Sequence, residues 1–236
     1  SYDVITPSAA RAIFEAILFK RYAMPLYEGD YGYQLIGDVA SLGFTVNGIV
    51  PDGFRVMTMN KKVESLADMH GLKMRMPNLE IMVEIGNYLG FAVTPMSMTE
   101  VFSALEQGVI DGQENPPSTI RSQGWYEIQD YLLVSNHVFT SLFLCVNNDF
   151  YNSLDSELQN ILDEVIDETC AQIWDTAQTQ AQEDLDYMSS EGGIEVYEPS
   201  DSFRQEMVEA TAPMYDNMYE TAPEVEEVIN AIQAIQ

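Results

Sequence analysis

The sequence predicts an α/β fold. Between Lys73 and Gly108, short apolar strands alternate with helical patterns, and the connections stop at glycines. From Asp155 to about Ser190 one helical pattern runs without glycine or proline. Hydrophobic residues make up 46% of the 236 residues, enough for a real core and for two ordinary domains or one large one.

Each element has a local reason. Ser8 is a plausible N-cap for a helix to about Met24, with Ala12, Ile13, Ala16, Ile17 and Phe19 on one face. A second helix spans about Tyr33 to Leu42 and stops at Gly43. Strands follow at Phe44 to Val50 and Phe54 to Met59, parted by the turn signal Pro51-Asp52-Gly53. A helical turn covers Ser65 to Met69. Lys73 to Met76 reads as a strand, then a helix capped by Asn78 runs to Tyr88. Phe91 to Met96 is a strand, and Thr99 caps a helix from Glu100 to Gln107. Gln113 to Pro117 reads as a loop, Ser118 to Gln129 as helix, and Tyr131 to Ser135 and Val138 to Val146 as strands. In the long helix Leu158, Ile161, Leu162, Val165 and Ile166 recur at helical spacing. Such a helix either spans two domains or protrudes. Gly192-Gly193 ends it, Ile194 to Tyr197 is a short strand, and helices from about Ser200 and about Pro223 finish the chain.

Charge narrows the function. The formal net charge is -28, from 10 Lys and Arg against 38 Asp and Glu, which repels nucleic acid and anionic membrane surfaces. After Arg121 the only base is Arg204. An anionic ligand would be repelled at long range, so close, partly desolvated arginines would have to bind it. No apolar run approaches the roughly 20 residues that a membrane-spanning helix needs. Cys145 and Cys170 match no metal or redox spacing and read as two buried free thiols. No cofactor or metal is expected: no nucleophile motif, metal-ligand spacing or Gly-rich phosphate loop is present.

Arg75 stands out in this acidic chain. Met74 and Met76 alternate around it on a short strand and so face the other side. Arginine's planar fork matches the two oxygens of a carboxylate. Open α/β sheets bind ligands at strand carboxyl ends. By local sequence alone, Arg75 and Arg55 read as surface residues, and Asn115, stiffened by Pro116, reads as a turn or cap residue. Helix capping is the simpler role for Asn78, Gln113 and Glu114 read as shaping a loop, and His137 reads as structural.

The order of several words changes that balance. Gly71-Leu72-Lys73-Met74-Arg75, Thr94-Pro95-Met96, Glu100-Val101-Phe102-Ser103-Ala104-Leu105 and Asp111-Gly112-Gln113-Glu114-Asn115-Pro116 follow one another, with Tyr126-Glu127 before Ser135-Asn136-His137. In this order and spacing they resemble the periplasmic solute-binding proteins of TRAP transporters, the DctP family. The match is dense from about Val50 to Asn148 and weaker after Asp149.

The resemblance implies a two-lobed periplasmic-binding-protein fold with a long helix spanning both lobes. It implies a first lobe reduced to 1–53 and 140–179, and a second lobe of 54–139 and 180–236. A small organic acid would bind between the lobes, its carboxylate held by Arg75. Gly53-Phe54-Arg55 fits the place of a second cation, and Asn115 reaches the carboxylate. Met98 sits where many relatives carry an aromatic residue, and Asn78 is expected as a further contact. The loaded protein would dock on the membrane subunits of a TRAP permease, from a periplasmic, extracytoplasmic or lipid-anchored position, with no chemistry on the ligand. Family members carry a further stretch before the point matched by Ser1, so lobe one is expected to be incomplete, leaving sheet edges that a second copy or a swapped segment would cover. Two other readings remain open: a remnant serving only as an interaction module, and an enzyme built on Glu114 and Asp111 with His70 or His137 as base.

Overall fold

A computed structural model describes residues 43–221 and residue 226. The helices expected at Ser8 to Met24, at Tyr33 to Leu42 and from Pro223 lie outside the described residues. By contacts the described chain divides into two compact units. One takes in Phe54–Phe139 and the chain from Thr179 onward, the other the residues up to Gly53 together with Thr140–Gln178.

The larger unit is built on a sheet of order β3-β2-β4-β1-β5-β6. Its strands are β1 (Phe44–Met59), β2 (Lys73–Met76), β3 (Ala92–Pro95), β4 (Gly112–Asn115), β5 (Tyr131–Asn147) and β6 (Glu195–Tyr197). The helices are α1 (Leu66–Met69), α2 (Glu80–Tyr88), α3 (Val101–Glu106), α4 (Pro117–Ser122), α5 (Asn148–Ser153), α6 (Ser156–Ser190), α7 (Asp201–Thr211) and α8 (Pro213–Thr221). Strand β2 runs parallel to β3 and β4, and β1 runs antiparallel to β4.

Period-two alternation sorts the core into two faces. On one, Met57 and Met59 of β1, Met74 and Met76 of β2 and Leu133 of β5 pack with Met82 and Ile85 of α2 and with Phe203 and Met207 of α7. On the other, Val56, Leu132 and Val134 pack with Val101 and Leu105 of α3, Ile120 of α4, Trp125 and Met188. The first face is rich in methionine, an unbranched side chain that fills irregular gaps.

Five boundaries differ from expectation. Pro51-Asp52-Gly53 does not end a strand: β1 runs through it, with Gly53 at φ 112° absorbing the distortion. The two strands expected between Tyr131 and Val146 are one, interrupted only by Asn136 at φ 47°, the one non-glycine residue with positive φ among the described residues. The N-cap of α2 falls on Leu79, and Asn78 is exposed just before it. Helix α3 is preceded by a 3-10 turn over Met98–Glu100, closed where Ser97 Oγ and N both donate to Glu100 Oε2 at 2.7 and 3.1 Å. The segment after Asn115 divides at Gly124 into α4 and a 3-10 turn over Trp125–Glu127.

Close approach explains Gly112 of β4. A Cβ there would lie 2.5 Å from the backbone oxygen of Thr58 and 2.8 Å from Met59 Cγ. Backbone cannot yield as a side-chain tip does, so Gly112→Ala should cost about 1–3 kcal/mol as overpacking. Urea unfolding would read this as a lower midpoint with unchanged slope; an unchanged midpoint would refute the account.

The smaller unit combines the first part of β1, the last part of β5, α5 and the first part of α6. Thr140 Oγ1 donates to Asp52 Oδ2 at 2.9 Å, and Trp174 Nε1 donates to Ile49 O at 2.8 Å. Asp155 caps α6, its Oδ1 accepting from Glu157 N and Leu158 N. Both cysteines are free, but the expectation that both are buried fails: Cys145 is exposed on the outer part of β5, and Cys170 is half-buried beside Gly48.

Candidate functional site

Strand β4, expected to be a loop, is the centre of the polar site. All its residues are buried, although three are polar. They are satisfied by one another and by their neighbours. Gln113 Nε2 donates to Thr58 Oγ1 at 2.9 Å across the β1–β4 pair, and Asn115 Nδ2 donates to Gln113 Oε1 at 2.8 Å. Because each amide nitrogen and oxygen of Gln113 and Asn115 finds a partner this way, the strand needs no apolar alternation to stay in the sheet.

Glu114 is fully buried and faces Arg55, itself 7% exposed. Arg55 grips it as a fork: Nε donates to Oε2 at 2.5 Å and Nη2 to Oε1 at 3.0 Å. The same Nη2 also reaches Glu114 O at 2.9 Å and Asn115 Oδ1 at 3.0 Å. His137 Nε2 stands 3.3 Å from Glu114 Oε2, and its Nδ1 is 2.8 Å from Ser135 Oγ. Burial alone would raise the Glu114 carboxyl, but His137 and Arg55 outweigh it and hold it below the ordinary value of 4.5. A carboxyl held low adds stability that is complete above its unfolded-chain value and is lost as pH falls through the folded one. The urea midpoint should therefore drop as pH goes below about 4.5, less steeply in Glu114→Gln; parallel profiles for the two proteins would count against this pair as the cause.

Arg75 sits on β2, 4% exposed, in register with Gln113 of β4 and Thr94 of β3. Its Nε and Nη2 donate to the backbone oxygen of Met96 at 3.1 and 2.9 Å, which fixes the guanidinium just past the end of β3. Among the described residues no carboxylate comes within ion-pair distance of it. The other described arginines each have one. Arg55 holds Glu114, Arg121 donates to Asp184 at 2.7 Å while lying 3.9 Å over the Tyr187 ring, and Arg204 lies 3.4 Å from Glu198. Burial lowers the Arg75 guanidinium from its ordinary value, Glu114 opposes this, and the charge of Arg55 adds to the lowering.

The structure thus brings Arg55 and Asn115 into direct contact and places Arg75 in the same charge cluster. Met98 opens an exposed 3-10 turn at 42% exposure, and among the described residues no hydrogen bond joins it or Asn78 to Arg55, Arg75, Glu114 or Asn115. The sequence leaves Thr58 unmarked and shows Gln113, Glu114 and His137 only as loop-shaping or structural residues, whereas folded they build the network. Asp111 and Glu114 have separate partners, since Asp111 Oδ2 accepts from Lys73 N at 2.8 Å. A cavity of about 450 Å³ elsewhere in this unit is lined by Arg121, Tyr126, Gln180, Asp184 and Tyr187, and shares no residue with the cluster. Among the described residues no group of three or more His, Cys, Asp or Glu is placed to hold a metal, and no helix is long and apolar enough to cross a membrane.

Residues 19–222 match the family model for DctP, bacterial extracellular solute-binding protein, family 7. The chain belongs to the DctP family. Among solved DctP-like structures, the sugar-acid-binding protein of Advenella mimigardefordensis in complex with galactonate superposes with a TM-score of 0.85 at 27% identity, covering 94% of this chain and 71% of that one. A TRAP periplasmic solute-binding protein of Haemophilus influenzae with bound L-gulonate gives 0.79 at 31% identity, covering 91% and 70%. The C4-dicarboxylate-binding periplasmic protein of Rhodobacter capsulatus is 29% identical over 205 residues, 86% of this chain. The chain spans 55% and 62% of the length of two curated relatives it matches. DctP proteins are extracytoplasmic receptors rather than enzymes, and the α/β fold of this chain agrees with that of the solved relatives.

Proposed function

We propose that this protein is an extracytoplasmic receptor for a small organic acid and that Arg75 grips the ligand's carboxylate. One observation supports this above the others: Arg75 is the described arginine that is buried with no carboxylate of its own. A buried cation without a counter-ion is costly, and an anionic ligand supplies what is missing. Asn115, held by Arg55 and Gln113, offers a fixed amide nearby. Arg55, itself paired with Glu114, locks Asn115 in place, and Met98 and Asn78 are proposed as further ligand contacts. The two compact units correspond to the two lobes, the larger one carrying the grip. Delivery to TRAP permease subunits follows from family membership and is part of the same proposal.

Relatives that bind galactonate, L-gulonate and C4-dicarboxylates set the first panel. At about 100 times its dissociation constant a ligand should stabilise the chain by about 2.7 kcal/mol, readable as a shift in Tm. Galactose, which lacks the carboxylate, is the control. A shift with an acid and none with galactose is expected. Equal shifts with both, or none with any acid, would overturn the proposal.

A further inference from the structure

The geometry points to Arg204 of α7 as a positioning residue that sets the orientation of His137 and, through it, the Glu114–Arg55 pair. Arg204 is the only Lys or Arg after Arg121, in a stretch otherwise rich in Asp and Glu. It is nonetheless 6% exposed, and burial lowers its guanidinium from the ordinary value. An arginine needed only to soften surface acidity would stay in water, where its charge costs nothing.

Its place is fixed from both sides. Ser200 caps α7 by accepting from Phe203 N at 3.2 Å, and Phe203 and Met207, buried in the methionine-rich face, clamp the helix on either side of Arg204. From there Nη1 donates to the backbone oxygen of Ser135 at 3.2 Å, and Nη2 reaches Glu198 Oε2 at 3.4 Å. Ser135 immediately precedes Asn136, whose left-handed backbone breaks the extended run of β5. A carbonyl next to such a break tends to lose its ladder partner, and asparagine is among the few side chains that tolerate the conformation. Arg204 supplies a charged donor at that point.

The break also serves the site. Ser135 and His137 are both buried, and the Ser135 hydroxyl lies 2.8 Å from His137 Nδ1. A chain of contacts therefore runs from Arg204 through the Ser135 carbonyl and hydroxyl to His137, whose Nε2 stands 3.3 Å from Glu114 Oε2, and Glu114 in turn is held by Arg55. If the Ser135–His137 backbone relaxes, the imidazole turns and Glu114 loses one of the groups that keep it ionised.

The chain has two histidines, so exposed His70 is an internal control. The test records imidazole NMR signals of the wild type, Arg204→Gln and Arg204→Lys, and measures galactonate affinity for each. His137 signals should move in Arg204→Gln and return part of the way in Arg204→Lys, with His70 unmoved. Affinity should fall about fivefold in Arg204→Gln, the low end of ordinary site-to-site coupling. Unmoved His137 signals in folded Arg204→Gln would overturn the inference, leaving Arg204 a tether between α7 and β5. The affinity arm alone rests on the carboxylate-receptor reading. Should no acid bind the wild type, that reading fails and the imidazole signals still decide the role of Arg204.

Discussion

Replacing Arg75 by methionine should abolish carboxylate binding and leave the unliganded protein at least as stable as wild type. The two effects have one origin. In the unliganded chain Arg75 donates only to the Met96 carbonyl and carries its charge 4% exposed, with the attraction of Glu114 set against burial and the charge of Arg55. Methionine has similar length, fills the space and carries no charge, and replacing buried charge by well-packed apolar groups is often neutral or stabilising. With ligand present the balance reverses. Truncating one partner of a buried, hydrogen-bonded charge pair costs about 2–5 kcal/mol, roughly 30- to 5,000-fold in affinity. Titration calorimetry with galactonate and thermal melts without ligand would separate the effects. Retained affinity would remove Arg75 from the site, and a large loss of unliganded stability would assign it a structural role instead.

Glu114→Gln should give the largest loss of stability. The glutamine keeps the shape but leaves Arg55 buried against a neutral amide, and breaking a buried pair from one side costs about 3–5 kcal/mol. For a chain of this size that corresponds to a fall in Tm on the order of 10 °C. Removing both charges, as Glu114→Gln with Arg55→Met, should recover part of the loss, because no unpaired ion then remains. The cycle of single and double variants measures this coupling directly. Strictly additive losses, or a Glu114→Gln cost below about 1 kcal/mol, would mean that the Asn115 and backbone contacts of Arg55 carry the fold without the ion pair.

How far the sequence could be read depended on which force placed each element. Strand β2 and helix α2 were legible because apolar residues alternate at the period of the structure and glycines mark the stops. The long helix α6 was legible because nothing in it breaks a helix. Strand β4 was not: Gln113, Glu114 and Asn115 are buried through mutual hydrogen bonds and one ion pair, and such pairing leaves no trace in hydrophobic periodicity. For the same reason Glu114 reads along the chain only as a loop residue: its partner Arg55 lies 59 residues away and meets it only after folding. Pro51-Asp52-Gly53 and Asn136 misled in the opposite sense, since turn-forming residues inside long strands act as local distortions that the sheet tolerates.

Arg75 owes its place to a parity. Met74 and Met76 fill the core while the residue between them looks the other way, and β2 is held in register from both sides by β3 and β4. Losing or gaining one residue between Gly71 and Lys73 would swap the two sets, driving a guanidinium into a methionine core and thioethers into the polar cluster. Length change at that point would damage the core and the ligand grip together. The loop carrying exposed Val109 leads into β4 and is bound by the same constraint, because a shift there would exchange Glu114 with its neighbours. Across related chains, length variation should be absent from the four residues that lead into the arginine, Gly71 to Met74.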